Sequence, residues 1–232
     1  IEYSVRVYSL HELGKMLTTA TGQPPAGQPI VNVALTYEGL RFLGMPEEQL
    51  AWFPQEFREG MEARASMLGD FRANHPRRWR LPQRLAQAGA PARDASVEMA
   101  AVHLVIQLRI GIPGNDVSDP MDAKHPLNGA IRKLFGDPAQ GGTRADVRLL
   151  AIEPLRRYLN DKDRIQEHFG FADGDGQPVL DAVPKGAVYR NQVQLGELLL
   201  GYPNEADPKP QGDSEAERER LDFFHNGSFL VV

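Results

Sequence analysis

Apolar and polar positions alternate from the start of the chain: Tyr3, Val5 and Val7 share one face of residues 2–8, the period of a strand. Leu10, Leu13, Met16 and Leu17 then recur at helical spacing, and Thr21-Gly22-Gln23-Pro24-Pro25 ends that helix. Residues 30–36 predict a second strand, followed by helical sequence through Leu43 and a stop at Gly44-Met45-Pro46. A further helix begins at Phe53-Pro54, with Phe57, Met61, Ala65 and Leu68 expected on its inner side. Residues 99–108 are almost continuously apolar, which predicts a central strand. A short helix carries Ile131, Leu134 and Phe135, and residues 147–152 predict a fourth strand. The order, β-α-β followed by β-α-β, predicts an α+β fold. Its specific form is a ferredoxin-like domain over residues 1–160, an antiparallel sheet with helices on one face.

The segments between are polar. Residues 69–96 read as a surface excursion in which Arg77-Arg78-Trp79-Arg80 forms a solvated loop anchored by its tryptophan. A Gly/Pro/Asp-rich loop runs over residues 111–126. From residue 161 glycine, proline and charge dominate, broken by short apolar runs at 187–189 and 195–202, and residues 204–220 read as an exposed crossing loop. The apolar run at 228–232 predicts a strand with no place in a sheet already closed, so residues 161–225 are expected to connect to a second domain that opens at 226–232. A chain that starts and stops inside strand-like runs is expected to be one piece of a larger protein.

Composition narrows the partners. Lys and Arg number 26 against 31 Asp and Glu, a net charge of −5, so there is no basic field for nucleic acid or an anionic membrane. No apolar run approaches the roughly 20 residues of a spanning helix, and the succession of a signal peptide is not seen, so the reading is a soluble chain of open compartment. The absence of cysteine excludes disulfides, thiolate ligands and a cysteine nucleophile.

The segment that stands out chemically is Glu167-His168-Phe169-Gly170-Phe171-Ala172-Asp173-Gly174-Asp175-Gly176-Gln177-Pro178. It holds a carboxylate in a turn made largely of glycine, which lets a ligand approach both backbone and side chain. The plain alternative for Asp173 is a carboxylate that satisfies turn amides or caps a helix.

The Gly-x-x-Asp-Gly pattern at Gly170, Asp173 and Gly174, followed by Gln177-Pro178, resembles the dye-decolourising (DyP-type) haem peroxidases. Four more stretches resemble the same family in the same order: residues 31–40, 57–61, 196–205 and 226–231. One short glycine pattern is weak evidence, whereas five blocks in order are hard to reach by chance. The resemblance implies two ferredoxin-like domains in a dimeric α+β barrel around one haem b, with this chain as the N-terminal half. It implies a peroxidase that reduces hydrogen peroxide and oxidises dyes, phenols or similar reductants.

On that resemblance Asp173 is the distal acid and base, taking a proton from the inner peroxide oxygen and returning one to the departing oxygen. Phe171, Ala172, Asp173, Gly174, Asp175, Gly176 and Gln177 are the expected haem contacts. Phe169 and Phe171 are candidates for a dry wall that raises the pKa of Asp173 by desolvation. The iron's histidine and a distal arginine come, in the family, from the second domain, so no metal ligand is expected here and the C-terminal half is the expected partner. Homo-oligomerisation is left open. His168 and His225 read as hydrogen-bonding or surface histidines, and His11, His75, His103 and His125 lack metal-site spacing. Tyr189, Tyr202 and Trp79 read as packed aromatics rather than electron relays. Asp175-Gly176 departs from the apolar and small polar pair usual in relatives. The alternative from another class is a non-catalytic ferredoxin-like binding module that has lost haem; a small-molecule monooxygenase is weaker, because such sites need no glycine-bound aspartate.

Overall fold

The computed structural model describes residues 29–79, 97–110, 122–136, 143–144, 147–153, 158–159, 165–166, 171, 193–207 and 212–229. The strand and helix expected within residues 2–17 lie outside the described residues, as does the apolar run at 187–189. The chain forms two compact units, Ile1–Pro154 and Leu155–Val232.

Among the described residues, the longest strand pair of the first unit is antiparallel. Strand β1 (Ile30–Leu35) pairs with β2 (Leu104–Arg109), running from Ile30 opposite Arg109 to Leu35 opposite Leu104. This register puts Val31, Val33 and Leu35 on the same face as Leu108, Ile106 and Leu104, and Val31 is buried. The opposite face mixes Ile30, Ala34 and Val105 with Asn32, Gln107 and Arg109, and the Arg109 guanidinium donates to Asn32 Oδ1 at 3.1 Å. The expected central strand at 99–108 is shorter than the apolar run: Met99–Ala101 forms a 3-10 turn before β2, and β2 pairs only with β1 among the described residues.

Helix α1 (Tyr37–Phe42) starts at Thr36, whose hydroxyl oxygen accepts from Gly39 N–H at 2.9 Å. The same hydroxyl donates to the Val102 carbonyl at 2.6 Å, and Thr36 N–H donates to the His103 carbonyl at 3.2 Å. These bonds fasten the end of β1 to the approach of β2. Gly39 lies so close to that junction that a Cβ there would sit 1.9 Å from the His103 carbonyl oxygen, so no larger residue fits. Phe42 stacks on the His103 ring with centroids 4.2 Å apart.

Helix α2 (Glu47–Leu50) buries Leu50, and helix α3 (Gln55–Leu68) follows Pro54. The expected inner face of α3 is only partly realised. Ala65 is buried, but Met61 and Leu68 are exposed. Gly60, at φ 71° and ψ −178°, interrupts the helix between the half-buried Phe57 and the other three positions of that expected face. Tyr37 and Phe57 meet edge to face at 6.2 Å, and Phe53 stacks on Phe57 at 5.1 Å.

Beyond α3, 3-10 turns at Arg72–Asn74 and Pro76–Arg78 replace the featureless loop expected there. Trp79 is 43% exposed and is tied to this segment by its indole N–H, which donates to the Asn74 carbonyl at 2.8 Å. Arg77 pairs with Glu62 of α3. Helix α4 (Pro126–Phe135) buries Ile131 and Phe135, as its spacing predicted, together with Asn128. His125 caps it, Nδ1 accepting from Leu127 N–H at 3.1 Å. The strand expected over 147–152 shrinks to β4 (Val147–Arg148), paired with β3 (Thr143–Arg144), while residues 149–153 form no strand.

The second unit contains a hairpin of β5 (Tyr158–Leu159) and β6 (Ile165–Gln166) and the helix α5 (Glu215–Phe224). That helix corrects the reading of 204–220 as loop throughout. Ser214 and Glu217 form a reciprocal capping box: Ser214 Oγ accepts from Glu217 N–H at 3.2 Å, and Glu217 Oε2 accepts from Ser214 N–H at 3.0 Å. Residues 226–229, expected to open a strand, are a turn and irregular backbone, and 230–232 lie outside the described residues. Helices and short antiparallel strands together make the described chain α+β.

Candidate functional site

The chain enters the glycine-rich signature directly from β6, whose Ile165 and Gln166 pair with Leu159 and Tyr158. Of the predicted site residues the structure describes one. Phe171 lies outside any helix or strand and is 70% exposed. Ala172, Asp173, Gly174, Asp175, Gly176 and Gln177 lie outside the described residues, as do His168 and Phe169.

Two of the sequence blocks that flank the signature come together in the second unit. Leu200 N–H donates to the Gly227 carbonyl at 2.8 Å, and Asn226 N–H returns a bond to the Leu200 carbonyl at 3.2 Å. Tyr202 adds its phenol, donating to Asn226 Oδ1 at 2.6 Å, and its ring lies against His225 with centroids 4.7 Å apart. Asn226 takes φ 62°, a left-handed value that asparagine tolerates better than most residues, and this turns the chain out of α5. The 195–207 loop is closed on itself as well. Gly196 N–H donates to the Pro203 carbonyl at 2.9 Å, Glu197 Oε1 accepts from Glu205 N–H at 2.7 Å, and Asn204 Oδ1 accepts from Asp207 N–H at 2.7 Å.

In the first unit the blocks at 31–40 and 57–61 also meet, through the Tyr37 and Phe57 rings. Backbone bonds and ring contacts thus bring the blocks together in pairs, one pair in each unit.

The described histidines have structural work. Nδ1 of His75 accepts from Arg77 N–H at 3.2 Å and Nδ1 of His125 from Leu127 N–H, each ahead of a proline that starts a helical turn. His103 stacks on Phe42 and His225 on Tyr202. Among the described residues no group of three or more His, Cys, Asp or Glu is placed to hold a metal ion. Nor is any described helix long and apolar enough to cross a membrane.

Among the described residues one carboxyl is shifted by its surroundings. Backbone N–H groups of Ser214 and Asp213, then the Ser214 hydroxyl, hold Glu217 below its ordinary value of 4.5. Its role is to cap α5, and Ser214-x-x-Glu217 was the signal in the sequence that could have found that helix.

Comparison with protein-family models gives no match, and comparison with curated proteins gives none either.

Proposed function

We propose that this chain is the N-terminal part of a haem-dependent peroxidase of the dye-decolourising type, with Asp173 as its distal acid and base. The observation that carries the reading is the set of five ordered sequence blocks centred on Gly170-x-x-Asp173-Gly174. The mutual bonding of residues 200–202 with 225–227 supports it, because blocks that resemble one family in sequence are also neighbours in space. In this reading the α+β arrangement is a ferredoxin-like domain, and a second such domain supplies the iron's histidine and a distal arginine.

Phe171 fits a flat apolar cofactor, since its exposed ring, two positions before Asp173 in the sequence, offers an aromatic surface. Bound haem b would supply the redox-active iron. Asp173 would do the proton work: its carboxylate oxygen would accept a proton from one peroxide oxygen, and the acid so formed would donate to the oxygen that departs as water. Phe171, Ala172, Gly174, Asp175, Gly176 and Gln177 would line the haem edge. Dyes or phenols would be the electron donors.

Co-expression with the C-terminal half tests the reading. The expected result is a Soret band and peroxide reduction, with Asp173→Asn keeping haem while the reaction with peroxide slows by about 10²-fold or more. Unchanged peroxide kinetics in a haem-loaded Asp173→Asn enzyme removes the role given to Asp173. A colourless complex favours the binding-module alternative.

A further inference from the structure

The kinked helix α3 presents a methionine in an unusual setting. Met67 is 73% exposed, the most exposed of the large apolar side chains described, yet its sulfur is not left to water alone. Arg64 Nη2 donates to Met67 Sδ at 3.2 Å. The Arg64 side chain is itself only 13% exposed, and the same nitrogen pairs with Glu56 Oε1 at 3.3 Å while Nη1 pairs with Glu59 Oε2 at 3.4 Å. Glu56 and Arg64 are eight positions apart, a rise of about 12 Å along an unbroken helix. They meet because Gly60 interrupts the helix between them. Arg64 therefore clamps the two halves of α3 across the interruption, and Met67 shares the clamp's donor.

We propose that Met67 is a peroxide-oxidation site whose sulfoxide draws Arg64 away from Glu56 and Glu59 and so loosens α3 at Gly60. The thioether sulfur attacks one oxygen of hydrogen peroxide and the O–O bond breaks. The sulfur–oxygen bond forms, the departing hydroxide takes the hydrogen of the transferred oxygen, and water leaves. Sulfur is oxidised by two electrons and the peroxide is reduced by two. The guanidinium assists twice: it donates to the departing oxygen as negative charge grows there, and afterwards it finds in the sulfoxide oxygen a far stronger acceptor than sulfur. Charge-assisted bonding to that oxygen competes directly with Glu56 for Nη2. The lesion is one that methionine sulfoxide reductases reverse, so the device is resettable. It needs only a hydroperoxide, so its failure would leave the haem reading untouched.

The test treats the full chain with hydrogen peroxide, stops the reaction with excess free methionine and maps oxygen adducts by peptide mass spectrometry. Met67 is expected to lead Met61 and Met99, which are 40% and 54% exposed, by about twofold or more. Met99 oxidising as fast as Met67 overturns the proposal. In Arg64→Lys and Arg64→Gln the lead of Met67 should shrink; a lead unchanged in both removes the part given to Arg64. Hydrogen exchange reads the consequence: amides around Gly60 should exchange faster after oxidation, recover on treatment with the reductases, and not respond in Met67→Leu. Exchange that is the same before and after oxidation overturns the clamp.

Discussion

The Tyr202 phenol donates to Asn226 Oδ1 at 2.6 Å across 24 positions of sequence, while the Tyr202 ring lies on His225. Tyr202→Phe keeps the ring contact and removes only the bond, which is exposed. The loss expected is at the low end for a hydrogen bond, about 0.5 kcal/mol in urea unfolding. Asn226→Val should cost more, because a β-branched residue resists φ 62° as well as lacking the acceptor.

Thr36 is the junction of β1, α1 and the approach to β2. Thr36→Val removes the donor to the Val102 carbonyl and the acceptor for Gly39 N–H together, with an expected loss of about 1–2 kcal/mol. Thr36→Ser should retain most of that stability. Gly39→Ala should exceed the cost of Thr36→Val, since its methyl would collide with the His103 carbonyl. Chemical denaturation of the three variants side by side gives the order.

Gly60 takes a φ/ψ combination open to almost nothing but glycine. Gly60→Ala is expected to destabilise by about 1–3 kcal/mol, measured as a shift in the denaturation midpoint. A variant more stable than the parent would mean that α3 is content to run straight.

Glu217 gives α5 a pH dependence with a definite sign. Its folded-state carboxyl lies below the ordinary 4.5, so the charged form is the one the fold prefers. The stabilisation is fully present above the ordinary glutamate range and is lost as pH falls through the lowered folded value. An NMR titration should show Glu217 with a midpoint below 4.5, and α5 should fray on acidification. Ser214→Ala should move that midpoint back toward 4.5.

How much was legible depended on length and on burial. β1 could be read because Ile30–Leu35 is a run of apolar, β-branched-rich residues as long as a full strand, and α4 because Ile131 and Phe135 are both buried at helical spacing. β3 to β6 are two residues each, too short for any period to register. α5 buries none of its residues, so it has no apolar stripe, and only its capping box marks it. In α3 the spacing of Phe57, Met61, Ala65 and Leu68 suggested one continuous face, and Gly60 breaks it between Phe57 and Met61. The signature segment was conspicuous by composition alone, and Phe171 is its only described residue. Its chemistry rests on the pattern of Asp173 among glycines.

The strand pair of the first unit has a consequence for the order of folding. Thr36 and Val102 meet from 66 positions apart, and closing a loop of that size costs roughly 4 kcal/mol of chain entropy by ideal scaling. α1, α2 and the first half of α3 draw on near neighbours and are free to form early. During synthesis β1 emerges long before β2, the one strand it pairs with among the described residues, so that pairing waits until Leu104–Arg109 has left the ribosome. The nascent chain is thus exposed to wrong association of β1 in the interval between these two strands.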